Sequence, residues 1–313
     1  MQKRILAVHD ISCVGKCSLT VAQPVLSAAG FETAVLPTAV LSTHTAGFTG
    51  FTCRDLTDDI RPIMDHWEKE KITFDAIYTG YLASFEQIAL VRELISRFRG
   101  DDTVVLVDPV MADNGKMYPA FDEAFAAGMA TLCADADIVI PNLTEAAFMT
   151  KTPFLSGGYS ADDILALAKT LCNAGPRLAV LTGISFEDGT LGAAAFDKVS
   201  GKMSVYVNDR LDGSYHGTGD VFASAFLAAY MVRGDEEFAI RTAVDFTLAA
   251  LRRTKLAGTP WYWGVDFENC LGDLIGHALV VLRDLADDEG NDIEGGIVLQ
   301  TATDQSQRTN QIA

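Results

Sequence analysis

The sequence predicts a three-layer α/β fold, with a mostly parallel central sheet covered by helices on both faces. Three observations carry this reading. Short apolar runs recur at residues 5–8, 76–78, 104–107, 138–140 and 178–181. They are continuous rather than alternating, as expected for strands buried on both faces of a parallel sheet. Segments of helical length and amphipathic spacing lie between them, for example 85–97 and 161–173, and strands alternating with helices give layered α/β architectures.

Taken in order, residues 5–8 form the first strand, followed by small residues and a helix over 17–29 that ends at Gly30. The second strand, 31–36, is expected to stop at Pro37, because proline cannot donate to a ladder. Further on, 192–196 and 203–207 flank Asp197-Lys198-Val199-Ser200-Gly201-Lys202 and predict an antiparallel hairpin. Helices follow at 221–232, 236–253 and 265–285. Residues 1–286 read as a single domain, and 287–313 as a polar, acidic tail of weak order.

The bulk composition excludes several classes. The formal net charge is -18, which opposes broad nucleic-acid binding, since that needs cationic surface. No run of about 18 apolar residues predicts a membrane span. The apolar start reaches only to His9-Asp10, too short for a secretory signal core, so a cytoplasmic protein is expected. The six cysteines include one close pair, Cys13 and Cys17, without the second pair or histidine of a zinc set. They read as reduced structural thiols.

In open parallel sheets, ligands bind beyond the carboxyl ends of the strands. His9-Asp10, Thr79-Gly80-Tyr81, Asp108-Pro109, Pro141-Asn142 and Thr182-Gly183 each follow a predicted strand. Two phosphate-binding patterns are imitated and fail. Val14-Gly15-Lys16-Cys17-Ser18 has Asp10 where a P-loop needs its first glycine, and Cys17 where it needs Ser or Thr. Gly217-Thr218-Gly219-Asp220 has Phe222 at the third glycine of a dinucleotide fingerprint and stands late in the chain. The last motif reads better as the start of a helix. Its unpaired N–H groups and the helix dipole suit a phosphate or a developing anion. Asp220 would be either a helix cap or a catalytic base.

These motifs occur in company. Leu41-Ser42-Thr43-His44-Thr45, Thr79-Gly80-Tyr81-Leu82-Ala83-Ser84, Asp108-Pro109-Val110-Met111, Pro141-Asn142-Leu143-Thr144-Glu145 and Gly217-Thr218-Gly219-Asp220-Val221 stand in that order. From about residue 4 to 285 the chain resembles the pyridoxal kinase branch of the ribokinase-like superfamily. The resemblance implies the ribokinase-like fold and ATP-dependent phosphorylation of the 5'-hydroxymethyl group of vitamin B6. It assigns Asp220 as general base and the backbone of Gly217, Thr218, Gly219 and Asp220 as anion hole. Asn142 and Glu145 would help hold the magnesium-triphosphate, partly through water, with Asp108 near the same Mg²⁺. His44, Thr45 and Tyr81 would line the B6 pocket. Asp113 and Tyr118 would belong to a lid over ATP, in which Gly115 fits a mobile loop, and Thr182 and Gly183 to a turn near the phosphates. A homodimer is also implied, while any need for a monovalent cation stays open.

One position departs from the resemblance. Pyridoxal kinases commonly carry Ser-His after the first strand, and this chain has Asp10 and Ile11 there. A carboxylate favours the charged form of its partner, so Asp10 is expected either to pair with a ring nitrogen or amine and favour pyridoxamine, or simply to cap the next helix. Two alternatives accompany the B6 kinase reading: hydroxymethylpyrimidine kinase of thiamine synthesis, and a non-catalytic B6-binding protein.

Overall fold

The computed structural model describes residues 2–275. Eleven strands form: β1 Arg4–Ser12, β2 Glu32–Leu41, β3 Cys53–Asp55, β4 Ala76–Thr79, β5 Val104–Val107, β6 Ala112–Asp113, β7 Lys116–Met117, β8 Ile138–Val139, β9 Leu178–Ile184, β10 Thr190–Asp197 and β11 Met203–Asp209. The helices are α1 Leu19–Ala28, α2 Thr57–Lys69, α3 Phe85–Phe98, α4 Glu123–Cys133, α5 Leu143–Thr150, α6 Ala161–Asn173, α7 Thr218–Arg233 and α8 Glu236–Ala257. Nine strands make one sheet in the order β11-β10-β9-β8-β5-β4-β1-β2-β3. The run from β9 to β2 is parallel, and β3 and β10 run antiparallel to their neighbours.

Strand alternation divides the interior into two cores. Leu6 and Val8 enter one with Ile60 of α2, Leu94 of α3, Met129 of α4 and Leu171 of α6. Ile5 and Ala7 enter the other with Val25 of α1, Phe226 of α7 and Ile240 of α8. This is the three-layer arrangement expected from the continuous apolar strands. The hairpin of β10 and β11 also forms as expected. All six cysteines are free. Among the described residues no helix is long and apolar enough to cross a membrane.

Some boundaries differ from expectation. β2 does not stop at Pro37 but continues to Leu41. Pro37 pairs with His9 next to the register irregularity in β1 and precedes the point where β3 joins, at Ala39, so the proline sits where the ladder is already interrupted. The helix expected from residue 17 begins at Leu19 and carries Pro24 inside it. The helix expected over 265–285 is not formed at its start. Val265 and Phe267 are fully buried, and a 3₁₀ turn, Glu268–Cys270, follows them. The remainder of that segment beyond residue 275, and the tail at 287–313, lie outside the described residues.

Phe226 is fully buried where α7 packs on α1 and α8. Phe226→Ala is expected to cost about 3–5 kcal/mol, read as a lowered urea midpoint with an unchanged slope.

Candidate active site

The site gathers at the carboxyl ends of β1, β4 and β5 and at the start of α7. Gly217 is the N-cap of α7, with φ 78, a left-handed conformation that favours glycine. A Cβ there would lie 2.1 Å from the Lys16 carbonyl oxygen. No side chain caps the helix, so the first-turn N–H groups of α7 remain available to an anion. Asp220 is therefore not the cap but a first-turn residue. Its carboxylate accepts the Ser18 backbone N–H, and burial, helped by the Asp10 charge, raises it to about 7.

Lys16, which imitated a P-loop lysine, is instead paired with Glu268 at 2.7 Å and lies over the Phe267 ring. Its loop is seated between α7 and the Trp261–Trp263 turn, with the Lys16 N–H donating to the Trp263 carbonyl. Gly217 follows β11 rather than a parallel strand, which disposes of the dinucleotide pattern.

Asp10 does not follow β1 but lies inside it, two residues before its end at Ser12, and is 6% exposed. The Ser12 hydroxyl donates to it at 3.3 Å, and the Ser18 hydroxyl also bonds it. Burial pushes its carboxyl upward against these donors. It does not cap α1, whose N-cap is Ser18 without a side-chain cap bond. Tyr81 follows β4, half-buried, with its ring 5.6 Å from that of Phe121. Its phenol is raised by burial and then by the Asp10 charge, which puts it in the same pocket. Gly80 before it leaves room for His9, whose Nδ1 would lie 2.5 Å from an added Cβ.

His44 is buried but fully engaged. The Ala46 N–H donates to Nδ1 at 3.2 Å, so Nε2 carries the proton and donates to the Tyr262 carbonyl at 2.7 Å. Its ring stacks on His216 at 4.0 Å. Burial lowers both imidazoles, His216 to about 4, so the stacked pair is neutral. Thr45 is exposed on the adjoining loop. His44 thus braces the loop against the residue preceding Gly217 and has no ring nitrogen free.

The acidic side of the site is built on α5. Asn142 is its N-cap: Oδ1 accepts the Thr144 and Glu145 N–H groups, and Nδ2 donates to the Ala112 carbonyl. Glu145 completes the capping box by accepting the Asn142 N–H at 2.9 Å and takes the Met111 N–H at 3.1 Å on its other oxygen. Burial raises Glu145 even against these donors. Asp108 is 6% exposed, and burial, then the charges of Glu145 and Asp220, raise it well above the usual carboxylate range. Among the described residues, no three His, Cys, Asp or Glu side chains converge to hold a metal ion. The donor set instead fits a hydrated divalent cation: a hard oxygen at Asp108, with Glu145 close by and already bonded twice.

Two loop expectations are corrected. The segment around Gly115 is not an open loop but a hairpin, β6 against β7. Asn114 and Gly115 both have positive φ, as a tight two-residue turn requires. The Gly115 N–H donates to Thr144 Oγ1 at 2.9 Å, pinning the hairpin to α5. Asp113 accepts from Asn114 within that turn, and Tyr118 follows, 38% exposed. Thr182 and Gly183 are not a turn after β9 but part of it. Thr182 pairs with Ala193 and Ile184 with Gly192, so Gly183, at φ 76, is the extra residue of a bulge. Thr182 bridges to Asn142, which ties the bulge to α5.

Sequence reasoning missed Ser18, His216 and the 261–264 segment. No sequence pattern marks any of them, because each enters through a close approach between distant loops.

A family model described as phosphomethylpyrimidine kinase matches residues 25–261. The chain belongs to this family, among the ribokinase-like kinases. It is 35% identical to a Bacteroides thetaiotaomicron protein described as a phosphomethylpyrimidine kinase and solved with pyridoxal, at a TM-score of 0.81 over 88% of this chain and 96% of that one. Against the pyridoxal kinase of Lactobacillus plantarum the identity is 28% and the TM-score 0.80, over 91% and 99% of the two chains. A pyridoxal kinase of Deinococcus radiodurans is 28% identical, over 83% of this chain and 89% of the relative. The chain is a kinase with the ribokinase-like fold.

Gly217→Ala should displace the α7 start from Lys16. We expect turnover to fall by about 10²-fold with an unchanged far-ultraviolet circular dichroism spectrum.

Proposed function

We propose that the protein transfers the γ-phosphoryl group of ATP to the 5'-hydroxymethyl group of a vitamin B6 compound. The observation that carries this reading is half-buried Asp220 in the uncapped first turn of α7, its carboxyl near 7 and close enough to Asp10 to feel its charge. A base with its pKa near the working pH is suited to take an alcohol proton. As that proton moves to Asp220, the alcohol oxygen bonds to the γ-phosphorus and the bond from phosphorus to the ADP oxygen breaks. The N–H groups of Thr218, Gly219 and Asp220 face the charge that develops, and such preorganised donors supply much of phosphoryl-transfer catalysis. Mg²⁺ bound with the nucleotide would be held by Asp108 and, through water, by Glu145, and would neutralise phosphate charge. Tyr81 supports a flat heteroaromatic ring, which can pack against the phenol face.

Asp10 supports a preference for a cationic substituent. Its carboxylate meets two hydroxyls, its own backbone N–H and a neutral His44, so a protonated amine or ring nitrogen would supply positive charge. The same reading includes a homodimer, for which the wholly exposed edge strand β3 leaves the sheet open.

A second reading, phosphorylation of hydroxymethylpyrimidine, is favoured by the family match. ADP release measured in parallel with pyridoxal, pyridoxamine, pyridoxine, hydroxymethylpyrimidine and ribose separates the two. Turnover confined to B6 compounds supports the proposal, turnover mainly with the pyrimidine replaces it, and turnover with none rejects it.

Asp220→Asn is expected to lower kcat by about 10³-fold while ligand binding, followed by calorimetry, persists. Because the base must be ionised and burial raises its pKa, wild-type kcat/KM should fall as pH drops through about 7. Asp10→Ser should lower the pyridoxamine-to-pyridoxal ratio of kcat/KM by about tenfold, the worth of one charged hydrogen bond. An unchanged ratio would exclude the role given to Asp10.

A further inference from the structure

Four non-glycine residues among the described ones have positive φ: Ser18, Lys71, Asn114 and Lys151. Asn114 lies in the β6–β7 turn, Lys151 is the left-handed C-cap of α5, and Lys71 follows the end of α2. Ser18 is different. It has φ 52 with ψ -130, outside the left-handed helical well and in a region that glycine occupies and a Cβ opposes. It is also 5% exposed.

Several contacts hold it there. Its carbonyl accepts the Val21 and Ala22 N–H groups as N-cap of α1. It forms an isolated bridge with Ile11. Its N–H reaches the Asp220 carboxylate, and its hydroxyl reaches Asp10. The backbone contacts do not need a serine, because glycine would make every one of them without strain. Only the hydroxyl distinguishes serine from glycine here, and its carboxylate partner is Asp10.

We infer that Ser18 is a positioning residue that locks the acid facing the substrate, Asp10, to the base, Asp220, so that vitamer preference and turnover are set by one strained serine. This rests on the roles given to those two acids above. With Ser12 and Ser18 both bonded to it, the Asp10 carboxylate is fixed in direction relative to the start of α7. Without the Ser18 hydroxyl it keeps the Ser12 hydroxyl and its own backbone N–H, both from β1, and loses its link to the residue that meets Asp220.

The test compares Ser18→Gly and Ser18→Ala with the wild type in the full chain, measuring thermal midpoints without ligand and kcat and KM for pyridoxamine, pyridoxal and ATP. Ser18→Gly relieves the backbone strain, so its midpoint should equal or exceed that of the wild type. Its kcat/KM for pyridoxamine should nonetheless fall by about tenfold, mostly in KM, with a smaller loss for pyridoxal and an unchanged KM for ATP. Ser18→Ala keeps the strain and should show the same kinetic loss with a lower midpoint. A glycine variant with wild-type kinetics overturns the inference. So does a glycine variant that melts lower and loses both substrates equally, since that is the mark of a merely structural serine. A wild type inert toward every B6 compound would reject the functional reading instead. The same variants assayed on hydroxymethylpyrimidine would then decide the role of Ser18, with undiminished kcat/KM in the glycine variant counting against it.

Discussion

The site depends on one close approach, that of the α7 N-terminus to the loop joining β1 and α1. Gly217 comes so near the Lys16 carbonyl that only hydrogen fits in place of a side chain. This contact brings Asp220 to the Ser18 N–H and so beside Asp10. The neutral stack of His44 on His216 and the Lys16 bond to Trp263 brace the same junction from the other side. Loosening any of these would separate the anion-binding helix end from the acids that face the substrate.

The electrostatics of the site are governed by burial. Asp10, Asp108, Glu145 and Asp220 are all raised, and burial is the leading cause for each. A polyphosphate entering such a site meets repulsion unless positive charge accompanies it. The uncapped α7 terminus offers partial positive charge, and a hydrated divalent cation beside Asp108 would offer the rest. Lys16, which the fold brings to the α7 start, is held away on Glu268. The buried acids are therefore better understood as half of a charge balance that the nucleotide completes.

The departure at Asp10 also has a structural setting. Where relatives in the resemblance carry a neutral serine, this chain carries a carboxylate and surrounds it with Ser12 and Ser18. Two hydroxyls satisfy hydrogen-bonding capacity but supply no charge, so the carboxylate keeps its attraction for a cationic group. That distinguishes it from Asp197, whose carboxylate is matched by Arg177 at 2.7 Å and two backbone N–H groups and serves the fold alone.

The sequence by itself determined the layer architecture, because continuous apolar strands and 3.6-residue helical periodicity are local patterns that the core enforces. It also marked most of the residues that gather at the candidate site, since Tyr81, Asp108, Asn142, Glu145 and Asp220 each follow a strand or open a helix, and Asp10 falls two residues before the end of β1. It misjudged places where a neighbouring element overrides local propensity. Pro37 stays in β2 because the ladder is already irregular there, the Gly115 segment becomes a hairpin pinned by Thr144, and Thr182-Gly183 becomes a bulge because β10 pairs across it. Only the tertiary structure decided that His44 is a brace with both nitrogens engaged, that Asn142 and Glu145 cap α5, and that Ser18 adopts a glycine-like backbone between two acids. The physical reason is common to all three. Periodicity and turn chemistry act over a few residues, whereas hydrogen-bond partners and charge environments come from segments that folding brings together from far along the chain.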